Sequence, residues 1–345
     1  MADRCCGAVS ATDMKIVCKT RKRIPGKERS MLETPYRRFR LTAGLAVFIL
    51  IAVPLDRLLG QDQPELPQNL TYQRGQPVIP AYEGWHPNPD GTIDLWFGYL
   101  NQNWQEEIDI PVGSNNLIEP AEYGPDGGQP THFFPRVNHW EFAVRVPKDF
   151  GSKEVVWTLT SHGHTYRTYA TLKSGYIHDD MGVEREFNNS IPPPGNKPPI
   201  LTVEGEKVRT VKVDQPITLS AVATDDGLPR ARVESAPSPA KRRGPSPGVA
   251  AGGDNGLRGA TGLRLGWYLF RGPSIVRFDP PQFEQWEDAR GGSPWSPTWV
   301  NPPIPPDNRW IVHVSFDKPG TYVLRCRASD GFFNADQNVT FIVER

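Results

Sequence analysis

Apolar and polar residues alternate along much of this chain in short runs, and turn-forming residues separate the runs. In residues 93–100 the alternation puts Ile93, Leu95, Phe97 and Tyr99 on one face, and in 140–146 it does the same for Phe142, Val144 and Val146. Residues 107–112, 154–160 and 165–172 are further strand-sized runs. Asn-Pro-Asp-Gly at 88–91 and Asp-Gly-Gly at 126–128 are turn formers, and Ser-His-Gly-His at 161–164 predicts a tight hairpin. Residues 77–180 therefore read as an antiparallel β-sandwich. No long amphipathic helical pattern is present.

A proline-rich stretch, 181–199, follows and predicts an extended, stiff linker. Beyond it the same texture resumes, with strands predicted over 200–203, 208–213, 217–224, 263–270, 275–278, 310–316, 321–328 and 337–343. The expected fold class is all-β, with two antiparallel β-sandwich domains in tandem, the second over 200–345. Residues 229–261 interrupt it with Pro, Gly, Ala, Ser and Arg without apolar period, and read as a disordered insertion. The 36 prolines and 32 glycines of the 345 residues agree with many short strands joined by turns.

Charge and hydropathy single out the N-terminal end. The net charge is zero, yet residues 1–40 hold eleven Lys/Arg against four Asp/Glu. This basic flank directly precedes an apolar run, 41–55, so it reads as a membrane-targeting flank rather than a nucleic-acid patch, and no nucleic-acid partner is expected. Its fifteen residues fall short of the roughly 20 that cross a bilayer. Residues 41–60 therefore predict a signal-peptide core, with an uncleaved membrane anchor as the alternative, and 61–76 a polar tether. Met31 would make an ordinary start for such a signal. In either case the remainder is expected outside the cytoplasm, as a periplasmic, membrane-tethered or secreted protein. The part beyond the apolar run then has a single cysteine, Cys326, and no intramolecular disulfide.

Near the C-terminus, Pro-Gly-Thr-Tyr322-Val-Leu-Arg-Cys-Arg-Ala-Ser-Asp330-Gly feeds a tyrosine into an alternating strand that ends at an Asp-Gly turn. Together with Val213-Asp-Gln-Pro-Ile-Thr-Leu-Ser-Ala-Val-Ala-Thr-Asp-Asp-Gly, Trp267 and the closing Ala335-Asp-Gln-Asn-Val-Thr-Phe-Ile-Val, it resembles the PKD-type immunoglobulin-like domain of exported bacterial proteins over 198–344. In place of that family's Trp-Asp-Phe-Gly-Asp-Gly signature this chain has Trp267-Tyr-Leu-Phe-Arg-Gly. The resemblance implies an extracytoplasmic module for protein or carbohydrate contact. Residues 77–180 resemble no named family. The alternation itself puts Tyr322, Leu324, Cys326 and Ala328 on one face, so Cys326 reads as core packing, Tyr322 as a tyrosine corner and Trp267 as the core's centre.

Three constellations carry candidate chemistry. Trp286, Trp295 and Trp299 lie in a proline-bearing loop, 280–307, and would either form an exposed binding platform or fold back over the end of the sandwich. Asp225, Asp226 and Asp330 end strands that neighbour each other in an immunoglobulin-like fold, so they would hold a structural Ca²⁺, unless they serve only as turn residues. His162 and His164, with His132, His139 or the pair Asp179 and Asp180, would form a Zn²⁺ shell for a metal-dependent hydrolase, unless Gly163 simply makes the turn. The chain lacks a phosphate-binding glycine loop, a C-x-x-C pair and an H-E-x-x-H helix, and enzyme activity is disfavoured. The favoured expectation is a non-enzymatic binding, adhesion or envelope scaffold protein, with a pure spacer and the hydrolase as alternatives. No cofactor is expected apart from the structural Ca²⁺.

Overall fold

The computed structural model describes residues 72–178, 192–231, 260–288, 290–296 and 299–345, all within one compact unit, Asn69–Arg345. The basic flank, the apolar run, most of the tether, Asp179 and Asp180, much of the linker and nearly all of the insertion lie outside the described residues, and the expectations attached to them with them. Among the described residues no helix is long and apolar enough to cross a membrane.

The fold is all-β, and its strands form two sandwiches. In the first, β1 (Val78–Pro87), β2 (Ile93–Asn101) and β6 (Arg136–Val146) make one antiparallel sheet, and β4 (Asn116–Glu119), β7 (Val155–Ser161) and β8 (His164–Ala170) make another. A two-stranded ladder, β3 (Ile108–Asp109) with β5 (His132–Phe133), sits beside them. The alternation read from 93–100 is realised: Leu95, Phe97 and Tyr99 are fully buried and join Phe142, Val144 and Trp157 in one apolar cluster. Trp157 stands edge-on to Phe97 and Phe142 at 6.0 and 4.9 Å, and its Nε1–H donates to Asn116 Oδ1 at 2.9 Å, so the largest core side chain leaves no polar atom unpaired.

Three strands of this sandwich escape the sequence pattern. Pro80, Gly84 and Pro87 break up the alternation of β1, which nonetheless pairs along β2 with a bulge between Tyr82 and Gly84. β4 and β5 are too short to show a period. Conversely, the run 107–112 yields only the two residues of β3, because Pro111 has no N–H to continue a ladder.

The second sandwich has eight strands. β13 (Val276–Asp279), β14 (Arg309–Phe316), β11 (Ile217–Thr224) and β9 (Ile200–Val203) form one sheet in that order, and β10 (Val208–Lys212), β16 (Asn334–Glu344), β15 (Gly320–Ser329) and β12 (Arg264–Arg271) form the other. The opening strand is split: β9 pairs antiparallel with β11, then the chain crosses so that β10 pairs parallel with β16. Sheets arranged in this way make an immunoglobulin-like sandwich. Leu219, Ala221 and Ala223 of β11 and Tyr322, Leu324, Cys326 and Ala328 of β15 share its core with Trp267, which is 1% exposed. The Tyr322 hydroxyl donates to Lys318 O at 3.0 Å, tying the strand to the turn just before it. Cys326 is a free thiol, and burial pushes its pKa well up, away from reactivity.

Candidate binding groove between the two sandwiches

β12 departs from the one-sided alternation expected of a sheet with a wet face. Trp267 and Leu269 enter the core of their own sandwich, while Phe270 joins the apolar cluster of the first sandwich and Tyr268 meets Phe134 edge-on at 5.6 Å. All but the last residue of the strand are buried. The two sandwiches thus share a packed contact, and Thr131 N donates to Phe270 O at 3.2 Å across it.

Charged groups reinforce this contact from β15. Arg325 donates to Glu141 O and Oε2 at 2.8 and 3.0 Å and lies 3.7 Å over the Phe270 ring. Arg327 makes a two-pronged pair with Asp336 at 2.8 and 2.7 Å and lies over Tyr268. Burial would lower both guanidinium pKa values, but the surrounding acids and Tyr268 outweigh it and hold them up. Burial would likewise raise Asp336, yet Arg327 and Arg325 keep it below the usual carboxylate range. At the rim, Arg271 makes a two-pronged pair with Asp126 at 3.0 and 2.8 Å.

Beside this network a groove of about 740 Å³ runs between β6 and the β15–β16 pair, and Trp96, Trp140, Lys207 and Gln337 are among its lining residues. Trp96 and Trp140 stand edge to face at 6.2 Å, and Trp96 Nε1 is buried without a hydrogen-bond partner. Trp140 adopts φ 55°, a left-handed conformation rare for a bulky residue, at the irregularity where β6 leaves its register with β2. A smaller recess of about 30 Å³, which shares His139, Glu141, Arg327 and Asn334 with the groove, is lined by Trp286 and Trp295.

The loop tryptophans proposed from sequence accordingly take different places. Trp286 stacks on Phe134 of the first sandwich at 5.1 Å and 16°, so it wedges between the modules. Trp295 is half-buried in the recess. Trp299 folds back: its Nε1–H donates to Asn301 Oδ1 at 2.8 Å and its ring meets Phe283 edge-on. Trp96 and Trp140 were not singled out from sequence. Trp96 gave a signal, as a large aromatic on the face of its strand opposite the predicted core residues, whereas period two puts Trp140 on the face of Phe142, Val144 and Val146, and only the irregularity in β6 turns it away.

The aspartates come together in part. Asp330 is fully buried and accepts from Phe332 N and Phe333 N through Oδ1, while its Oδ2 has no partner. Asp225 Oδ1 and both amide atoms of Asn196 are likewise buried and unpartnered. Asn196 sits close enough to Asp330 to lower its carboxyl, without hydrogen-bond geometry. Burial dominates, and with Asp225 adding to it pushes Asp330 up to about 6. Asp226 is occupied otherwise, accepting from Leu228 N and from Lys197 N at the end of the linker.

The histidines are dispersed. Ser161 pairs with His164 across a two-residue turn in which His162 and Gly163 both have positive φ, 48° and 77°, so the imidazoles are not same-face strand neighbours. His162 lies 3.2 Å from Glu106, and His164 stacks on Tyr166. His139 bonds Glu83 at 2.8 Å. His132 is clamped by Asp109 on Nδ1 at 2.7 Å and by Glu107 on Nε2 at 2.9 Å. Among the described residues no group of three or more His, Cys, Asp or Glu side chains is placed to hold a metal ion; the Asp225–Asp330 pair gains a third oxygen only from Asn196.

No family model matches the chain, and no curated protein matches it. Solved structures do. The D00-D0 domain of Intimin is 10% identical, with 77% of this chain and 99% of that one covered, at a TM-score of 0.20. Sidekick-1 immunoglobulin domains 1–4 are 10% identical, covering 78% and 50%, at 0.21. The surface layer protein SbsC, domains 1–6, is 8% identical, covering 77% and 27%, at 0.19. No residue role is carried over from them.

Proposed function

We propose that this protein is an extracytoplasmic, non-enzymatic binding or adhesion module, and that the groove between its sandwiches is the contact surface for a protein or carbohydrate partner. The observation that carries the proposal is the groove itself, where Trp96 and Trp140 stand beside a buried set of charges. Indole rings with a polar surround suit a sugar ring or an extended peptide, since both need apolar area and hydrogen bonds together. The apolar run 41–55 with its basic flank supports export, and the loop motifs quoted from sequence keep the PKD-type module as the reading of the second sandwich. The test is the full chain, purified in mild detergent and applied to immobilised glycans and surface proteins, beside Trp140→Ala. Binding that falls at least about tenfold in the variant, at unchanged thermal stability, is expected. Binding equal to that of the parent would place the contact elsewhere.

A structural Ca²⁺ is proposed at Asp225, Asp330 and Asn196. These residues fit a hard cation because each keeps one buried oxygen without a hydrogen-bond partner, Asp225 Oδ1, Asp330 Oδ2 and Asn196 Oδ1, and the bound ion would hold the linker end against the β15–β16 turn. At a hundredfold excess over Kd, Ca²⁺ adds about 2.7 kcal/mol of stability. A rise in the thermal midpoint with Ca²⁺ that is lost in Asp225→Asn is expected, and a midpoint indifferent to Ca²⁺ would remove the ion from the account.

A further inference from the structure

The second sandwich is left open along one side, where β12 and β13 are the terminal strands of their respective sheets. The loop after β13 closes part of this opening. Gln285 and Phe283 lie directly over Gly266 of β12, where any β-carbon would collide with them at 2.4 and 3.0 Å. Between this loop, β12, β13 and the first sandwich remains a cavity of about 170 Å³. It is somewhat larger than an apolar cavity of about 150 Å³ that accommodates benzene.

The chemistry of its lining is lopsided. Leu269 and Val276 form the apolar side, and Phe134, Tyr268, Phe283 and Trp286 are the aromatic walls. Two carboxylates, Glu107 and Glu284, face them, and among the described residues no lysine or arginine lines the cavity. The one basic residue among the described lining, His132, already has both ring nitrogens engaged by Asp109 and Glu107. Glu284 Oε2 is buried with no hydrogen-bond partner, and the hydroxyl of Tyr268, a residue only 5% exposed, is also unpartnered. Burial, with Asp288 adding to it, pushes the Glu284 carboxyl up to about 7. His132, held protonated by Asp109 and Glu107, balances Glu107, whereas Glu284, bordered by the aromatic rings, has no cation hydrogen-bonded to its Oε2 and suits one with an apolar body. Ring faces attract such an ion through their quadrupole, and desolvation strengthens the attraction.

We propose that this cavity binds a small organic ammonium ion of the size and character of choline, with Glu284 as its counter-ion and Phe134, Tyr268, Phe283 and Trp286 as its aromatic cage. The site is separate from the groove assigned to the macromolecular partner, and Trp140→Ala leaves it intact.

The test is titration of the full chain with choline and, in parallel, with 3,3-dimethylbutan-1-ol, its neutral isostere, followed by tryptophan fluorescence and calorimetry. Saturable choline binding in the millimolar range is expected, with the isostere at least about tenfold weaker. Glu284→Gln, which removes an unfavourably buried charge and so retains the fold, lowers choline affinity about tenfold and leaves the isostere unaffected. Glu284→Lys, which sets a fixed cation in the cavity, abolishes choline binding. Flotation with phosphatidylcholine vesicles separates the two sources of the head group: recruitment that Glu284→Lys abolishes assigns a lipid, and choline binding without recruitment assigns the free ion. Equal binding of choline and its isostere, no saturable choline binding up to roughly 100 mM, or unchanged affinity in both variants would overturn the proposal.

Discussion

His132 shows how a single side chain ties a short ladder to the pH of its surroundings. Burial by itself would lower its pKa, but the hydrogen bonds and charges of Asp109 and Glu107 outweigh this and push it up to about 9. A folded-state pKa above the ordinary 6.5 means that the protonated form stabilises the fold. The contribution is complete below about pH 6.5 and is lost as pH rises through about 9. Because the two carboxylates are close to half exposed, solvent screens the pair, and a loss of about 1–2 kcal/mol is expected. Urea unfolding at pH 6.5 and pH 9.5 checks it: the parent loses stability over that range, and His132→Gln flattens the dependence. At this scale the sequence was partly legible. Asp225 and Asp330 were drawn together by the expected neighbourhood of their strand ends, but Asn196, which meets them from the linker, belongs to no strand pattern and so gave no sign.

Among the elements, legibility followed the number of faces a strand buries. β2, β7, β11, β15 and β16 each place their apolar residues with period two, and appear within a few residues of their expected bounds. β1 carries two internal interruptions, Pro80 and Gly84, and was invisible to the pattern although it pairs along nearly the whole of β2. β12 was found, but its burial on both faces was not read from it. Its Arg-Leu-Gly-Trp-Tyr-Leu-Phe-Arg sequence is apolar on both faces, a pattern that belongs to a strand covered twice. The arginines of β15 misled in the opposite sense. Arg325 and Arg327 alternate with core residues as solvent-facing charges would, yet they are buried against the neighbouring sandwich because Glu141 and Asp336 neutralise them. Alternation thus reported the sandwiches faithfully, and the contact between them appeared only as an excess of apolar residues on β12.

For the molecule as a whole, that contact decides whether the two sandwiches unfold separately or together. Two modules on a stiff spacer would melt independently, each with its own core. Here Phe270, 3% exposed, is a core residue of the sandwich to which it does not belong in sequence, and the Arg325–Glu141 pair is buried beside it. Opening the contact would expose an aromatic side chain and strip a buried charge of its partner, so neither sandwich reaches its unfolded state without destabilising the other. The described unit is therefore expected to melt in one transition by scanning calorimetry. Phe270→Ala removes the aromatic insertion at a cost of about 3–5 kcal/mol and releases the coupling, so two transitions replace one, that of the first sandwich at the lower temperature. Glu141→Ala leaves Arg325 buried without its carboxylate, costs a similar amount, and acts on the same contact, so the double variant loses less than the two single losses added together. A parent that already melts in two steps, or a Phe270→Ala variant with an unshifted single transition, would show that the sandwiches stand independently, and the groove between them would then be set by the partner that fills it rather than held open by the fold.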